Sequence, residues 1–489
     1  MQTFAHSVVI AHTITDYRMD ANRITPGAST GGAGRCNRMA KTLIKNGTII
    51  SMDRRVGDFQ KGDILVNGDK IEKVAKSLWS PDAKVINAAG KIVMPGFVNA
   101  HIHTWQTGIR GVAGNWSIPE YLHEMHARIA PRYTANDTYL ANLVGALNQI
   151  NLGATTIFDW CHNNATSGHT DGAIRGLKES GIRAVFGHGS PKPDAKKGFV
   201  PFTHIPHPRS ELERLRKGSL SDGDGMISLA MAALGVDFST WEVTEHDFRL
   251  AKELGLIIST HVWGAPNRLN PDGYKKLAKL GLLDKRHNMV HGNYLRDDEL
   301  KIVIDSGASV TITPEVEIQM GHGAPLIGRV RALGGKPSLG VDVESNISGD
   351  MFTVMRMALQ PQRMMDNQKV AKATKAPAQA LSIKPREALQ WATIDSARAL
   401  GLDKKVGSLK PGKQADIVML NGKDLNLFPV NNPIESVVFH AHGGNVDTVM
   451  IAGKIAKQNG KLKYRGLEKK MDQLAKSGRK ILKGVKLAA

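Results

Sequence analysis

From Thr42 the chain is written in short β-rich runs: LIKNGTIISMD, GDILVNGDKIEKVAK and KVINAAGKIVMPG, separated by the turn signals NG, NGD and AAGK. That pattern predicts the hairpins of a small antiparallel sheet. Matching text returns near the far end, in GKQADIVMLNG and VDTVMIAGKIAKQNGKL. The two pieces are expected to pair into one small β-sandwich domain built from 42–96 and 405–463. The chain between them, 97–404, then forms a single insert.

That insert alternates apolar runs with amphipathic stretches. ATTIFDW (154–160) precedes DGAIRGLKESG, and IRAVFGH (182–188) follows; MISLAMAALG (226–235) precedes EHDFRLAKELG, and LIISTHVWG (256–264) follows. NMVHGN (288–293), ASVTITPE (308–315) and PSLGVDVES (337–345) complete the series. Seven or eight strand-then-helix units predict a parallel TIM-like (β/α)8 barrel. A doubly wound open sheet is disfavoured, because no glycine-rich phosphate loop follows the first strand.

The flanks differ from this core. Residues 1–41 are rich in Gly, Ser, Thr and Arg and read as a flexible extension, with Met39 an alternative start to Met1. Residues 464–489 space Met471, Leu474, Ile481 and Leu482 helically among lysines, predicting a basic amphipathic helix on the protein or a neighbouring subunit. The length of 489 residues suits one barrel with a smaller companion, and 41% hydrophobic with 22% charged residues is ordinary for a globular chain. No apolar run reaches the ~18 residues of a membrane span.

The formal charge of +20 is spread along the sequence. No aromatic residues interleave the one basic concentration near the end, so nucleic acid is not an expected partner. Two cysteines, Cys36 and Cys161, leave no disulfide framework. The first residues carry no positive cluster ahead of an apolar stretch. A cytoplasmic enzyme with a small-molecule substrate is the expectation.

Active sites of such barrels form at the carboxyl ends of the strands. The residues there are His101 and His103, Asp159, His188, His261, His291, Glu315 and Asp342. His101 and His103, two apart at the end of one strand, would present imidazoles to the same side. Histidines ending four strands, with an aspartate ending the last, have the composition of a borderline metal site with open coordination positions.

PGFVNAHIH, the strand-end His261 and His291, and VDVES resemble the amidohydrolase superfamily. The nearer likeness is to the branch holding cytosine deaminase and the triazine hydrolases. ATIDSARALGL…VGSLKPGKQADIVMLN and VDTVMIAGK resemble that family's return to its small β-domain, so the resemblance spans about 42–463. It implies one divalent metal, most simply Zn with Fe, Mn or Co as alternatives, held by His101, His103, His261 and Asp342. It implies that His291 polarises the group under attack, and it makes a homo-oligomer the family-level expectation. A metal-activated water, deprotonated by Asp342, would then attack an electrophilic carbon.

Two departures shape the expected reaction. Relatives that deaminate show HxxE after the fifth-strand histidine, whereas this chain reads His261-Val262-Trp263-Gly264. The seventh strand ends TPEVEIQMGHG, so Glu315 and Glu317, taken as alternating strand residues on one side, become candidates for the absent acid/base. A second metal is disfavoured, because the fourth strand end offers Gly235, with only Asp237 nearby. Gln106, Arg110 and Trp116 in the loop after HIH, with His188 and His322, are candidate substrate contacts. The leading reading is hydrolysis of a C–N bond (amide, carbamate, urea or cyclic amidine) in a small cyclic or aryl molecule. The alternatives are a deaminase or dechlorinase of a nitrogen heterocycle, and a non-catalytic barrel relative.

Overall fold

The computed structural model describes residues 41–194, 196–221, 225–265 and 268–485. The extension read over 1–41, Lys41 apart, and the Lys486 end of the basic tail lie outside them. Two sheets organise the chain. Eight parallel strands follow one another in sequence order: Phe97–Ile102, Ala154–Cys161, Arg183–Gly189, Ile227–Ala233, Ile257–Val262, His287–His291, Ser309–Ile312 and Pro337–Leu339. The last returns to the first through a parallel bridge between Ile102 and Asp342, which closes the barrel as predicted. Residues such as Phe97, Val98, Ile102, Phe158 and Phe186 are fully buried, because helices cover the outer face of a parallel sheet.

Closure happens at the functional residues themselves. The Asp342 amide donates to the His101 carbonyl at 2.9 Å and the His103 amide to the Asp342 carbonyl at 2.8 Å. Buried Asn99 reinforces the seam by accepting the Val341 amide at 3.1 Å. Gly340 must be small here, since a Cβ would lie 2.7 Å from that of His101. An extra residue between Asn99 and Ile102 relative to the second strand bulges the first strand just where the imidazoles begin.

The second sheet has nine strands drawn from both ends of the chain, Lys41–Ile49 through Lys91–Pro95 and Ile417–Asn421 through Lys461–Leu462. It is mostly antiparallel, but not wholly as the hairpin text suggested. Lys41–Ile49 pairs in parallel with both Lys84–Asn87 and Lys91–Pro95, because those strands return over a longer path than a tight turn. The basic tail forms the helix Leu467–Ile481 and lies on the protein itself. Ser477 bonds Asp137 at 2.7 Å, and Gly478 meets the Gly108 carbonyl so closely that a Cβ would be 2.3 Å away. Among the described residues no helix is long and apolar enough to cross a membrane.

Candidate active site

His101 and His103 each direct Nε2 at one carboxylate oxygen of Asp342, at 3.3 and 3.2 Å. His261 brings its Nε2 to 3.2 Å from that of His101. His291 places Nε2 3.7 Å from the other Asp342 oxygen. Donor atoms of His101, His261, His291 and Asp342 all lie within 4.8 Å of one another. His291 and Asp342 hold positive φ angles of 65° and 76°, a costly backbone for side chains of this size. Both strands turn sharply there to aim a donor at the common centre.

The charge state of this group follows from its burial. Desolvation drives the His101 pKa down to about 3 despite the Asp342 carboxylate beside it, and holds His261 well below the usual range. Burial would push Asp342 up, yet the His101 and His103 rings against its carboxylate and the nearby His291 hold it far below an ordinary carboxyl. The Nδ1–H of His103 donates to the Trp160 carbonyl, which leaves its Nε2 lone pair facing inward. His101 and His261 face each other through their Nε2 atoms, while their buried Nδ1 atoms have no hydrogen-bond partner among the described residues. Imidazole nitrogens and one carboxylate converging on a common centre suit a divalent cation.

His291 differs from the others. Burial lowers its pKa, but the Glu317 carboxylate at 3.2 Å and the Asp342 charge outweigh that and raise it. Thr313 lies 3.1 Å from the same Nδ1. Glu317 is itself fully buried and also bonds the Thr313 amide and Asn293.

Above the centre opens a narrow cavity. Its walls are Ile118, Tyr121, Leu122, Phe238, Trp263 and Met320, and its polar members are His103, His126, His162, Lys192, His261, His291, His322 and Asp342. His322, a predicted contact, lies on this wall with its ring 4.8 Å from that of His291. The other predicted contacts face elsewhere. Gln106 bonds the Tyr121 hydroxyl at 2.6 Å and Ser345, supporting the wall from behind. Arg110 pairs with buried Glu344 at 2.8 Å, Trp116 packs in the core, and His188 bonds His207 at 2.9 Å.

The strand reading of 314–317 is corrected. Pro314 opens a short helix, Pro314–Gln319, so residues two apart point to opposite sides rather than one. Glu317 turns to His291, while Glu315 turns away toward Ser348, and burial raises its pKa to about 7. Asp237 accepts the Trp263 and Gly264 amides at 2.6 and 2.7 Å, so it holds the loop after His261 and does not face the centre. Asp159 anchors Thr104 at 2.7 Å. Leu122–Ile129 is wound as a π-helix that leaves His123 exposed and buries His126.

Sequence reading missed Lys192, Tyr121, Phe238 and Trp263. Lys192 sits three residues past the third strand, a place every barrel loop shares, so its position alone could have marked it. It also missed a relay. Trp105 Nε1–H donates to His162 Nδ1 at 3.0 Å, so neutral His162 carries its proton on Nε2 and donates it to His126, 3.1 Å away.

Residues 92–456 match the model of the amidohydrolase family. The chain belongs to that family. A 5'-deoxyadenosine deaminase of Methanothermobacter thermautotrophicus is 28% identical over 440 residues, covering 88% of this chain and 96% of that one. A 5-methylthioadenosine/S-adenosylhomocysteine deaminase of Pyrococcus furiosus is 26% identical over 442 residues, covering 89% and 99%. The solved atrazine chlorohydrolase TrzN of Arthrobacter aurescens TC1, complexed with zinc, superposes with a TM-score of 0.77 at 22% identity, covering 89% and 100%. This amidohydrolase is thus a metal-dependent hydrolase of non-peptide C–N bonds, as its strand ends predict.

Proposed function

We propose that this amidohydrolase hydrolyses the amidine-type C–N bond of a flat, aminated nitrogen heterocycle and releases ammonia. The observation that carries the reading is the convergence of four imidazoles and Asp342 at the floor of a cavity walled by Tyr121, Leu122, Phe238, Trp263 and Met320. Such walls accept a planar ring by its faces, while the floor offers donors and acceptors to its edge. The deaminase names of the curated relatives support the same class.

His101, His103, His261 and Asp342 would hold one divalent ion, with zinc first by donor chemistry and Fe, Mn or Co as alternatives. When bound, that ion supplies the acidity that brings a water's pKa toward ~7. Asp342, kept as a carboxylate by its neighbours, accepts a proton from the attacking water. His291 donates from Nε2 to the ring nitrogen that gains electron density. Glu317 and Thr313 position His291 from its far side and touch no substrate. Burial of Cys161 as a free thiol supports a reducing, cytoplasmic setting, and homo-oligomerisation remains part of the proposal.

One observation favours a second reading, hydrolysis of a cyclic amide or carbamate. Gly264 offers no side chain to protonate a departing amine, and a Cβ there would lie 2.4 Å from the Leu295 amide nitrogen. A substrate panel decides between them. Purified enzyme carrying one equivalent of divalent metal is expected to release ammonia from 5'-deoxyadenosine, 5-methylthioadenosine or an aminotriazine, and His101→Ala to abolish it. Ring-opened acids from hydantoins or dihydropyrimidines without ammonia release would favour the second reading. Purified protein without a stoichiometric divalent ion, with His101→Ala folding and behaving like the parent, would return the non-catalytic alternative.

A further inference from the structure

Hydrolytic deamination needs a proton for the leaving nitrogen, and most of the cavity's polar groups have none to give. His162 and His126 are bonded to each other through Nε2 at 3.1 Å, and His322 packs its ring against that of His291, 4.8 Å away. The Tyr121 hydroxyl is pushed far up by burial and the Asp342 charge. Glu317 is occupied with His291, Asn293 and the Thr313 amide, and Glu315 faces away. His291 serves the ring nitrogen. Lys192 remains.

Lys192 follows the third barrel strand, half-buried, and its ammonium lies 5.6 Å from the Trp160 ring centre and 5.3 Å from that of Phe238. Among the described residues no carboxylate or carbonyl binds it, so its protons are not committed to the fold. Across the cavity it faces Asp342 from the last strand, His261 from the fifth, His291 from the sixth, and His126 and His162 beside the second. We propose that the Lys192 ammonium is the catalytic acid that protonates the departing amine, in a chain whose Gly264 cannot carry one.

The inference rests on the deamination reading, and its protons balance. The water oxygen bonds the ring carbon, and one water proton ends on the ring nitrogen. The bond from carbon to the amino group then breaks with its electron pair on nitrogen, and Lys192 supplies the proton that makes ammonia. The second water proton, released as the C=O forms, returns to the Lys192 amine by way of Asp342. Burial, only partly opposed by the Asp342 charge, lowers the Lys192 pKa to about 8, which suits an acid that must give up and regain a proton at each turnover.

The test compares matched substrates that differ in the leaving group. The probes are 5'-deoxyadenosine and its analogue with chlorine in place of the amino group, because chloride departs without a proton. Lys192→Gln and Lys192→Arg are expected to lower kcat on the amine by on the order of 10²-fold or more, with KM little changed. On the chloro analogue the loss should shrink to several-fold. The decline of the parent's kcat above about pH 8 should vanish in both variants. Lys192→Arg keeps the charge and binds no releasable proton, so it separates proton donation from charge, and unchanged melting temperatures establish folding. Equal losses on both substrates, or full amine activity in either variant, overturn the role of Lys192 while deamination stands. A parent enzyme that releases ammonia from no aminated heterocycle overturns both.

Discussion

Glu315 and Glu317 show how far two neighbouring carboxylates can diverge. Glu317 is buried yet lowered in pKa, because His291 and the Thr313 amide outweigh desolvation. Glu315 has an oxygen buried without a partner, and desolvation wins there, raising its pKa from 4.5 to about 7. An acid raised on folding gives stability that is fully present below the unfolded value and is lost as pH rises through the folded one. Unfolding free energy should therefore fall between about pH 4.5 and 7 through this group. Glu315→Gln is expected to flatten that slope and to stabilise the protein at pH 8 by at most about 3 kcal/mol, from ~1.4 kcal/mol per pH unit. Urea unfolding at pH 5 and pH 8 measures it. A gain of equal size at both values would mean that the effect is not the charge.

At the scale of elements, the loop after the fifth strand is fixed by backbone rather than by side chains. Gly264 has φ of 81°, Asp237 accepts the amides at 263 and 264, and Leu295 packs where a Cβ would go. Gly264→Ala is expected to cost about 1–3 kcal/mol, the range for a non-glycine side chain forced into such a backbone. Gly264→Glu should lower activity further instead of restoring a proton shuttle, because its carboxylate has no room to enter. Melting curves and ammonia release together decide this, and a more active Gly264→Glu enzyme would refute it. The strand ends were legible because histidine or aspartate closes runs that otherwise carry apolar and small hydroxyl side chains, so an ionisable residue there stands out. The helix at Pro314 was not, since ASVTITPE carries strand propensity up to the proline and only the packing against His291 shows the turn. The destination of Arg110 was not legible either: its partner Glu344 is 234 residues away, and no local pattern encodes such a pair.

At the scale of the whole molecule, a buried ion pair adds to the apolar contact that joins the two sheets. Arg183, at the start of the third barrel strand and so at the opposite end from the cavity, makes a two-pronged contact with Asp416 at 3.0 and 3.2 Å. Their side chains are 5% and 1% exposed. Asp416 also accepts the Ala452 amide at 2.8 Å, and its carbonyl takes the Gly96 amide, so the residue ties three separate segments together. Neither sequence end advertises this contact, because the pairing of 42–96 with 405–463 is visible in strand text while a long-range pair such as Arg183 with Asp416 leaves no local pattern. Removing one partner leaves a buried charge without compensation, which typically costs about 3–5 kcal/mol, more than the pair itself contributes. Arg183→Met should therefore destabilise by that amount, and Arg183→Met with Asp416→Asn should recover much of it, because the asparagine oxygen still accepts from Ala452 and no charge is stranded. Denaturant unfolding of the single and double variants gives the coupling directly. Ammonia release per folded molecule should stay at the parent value in both, since the barrel mouth is untouched. A single variant that loses under ~1 kcal/mol, or a double variant no better than Arg183→Met, would show that the sheets are held by their apolar contact alone.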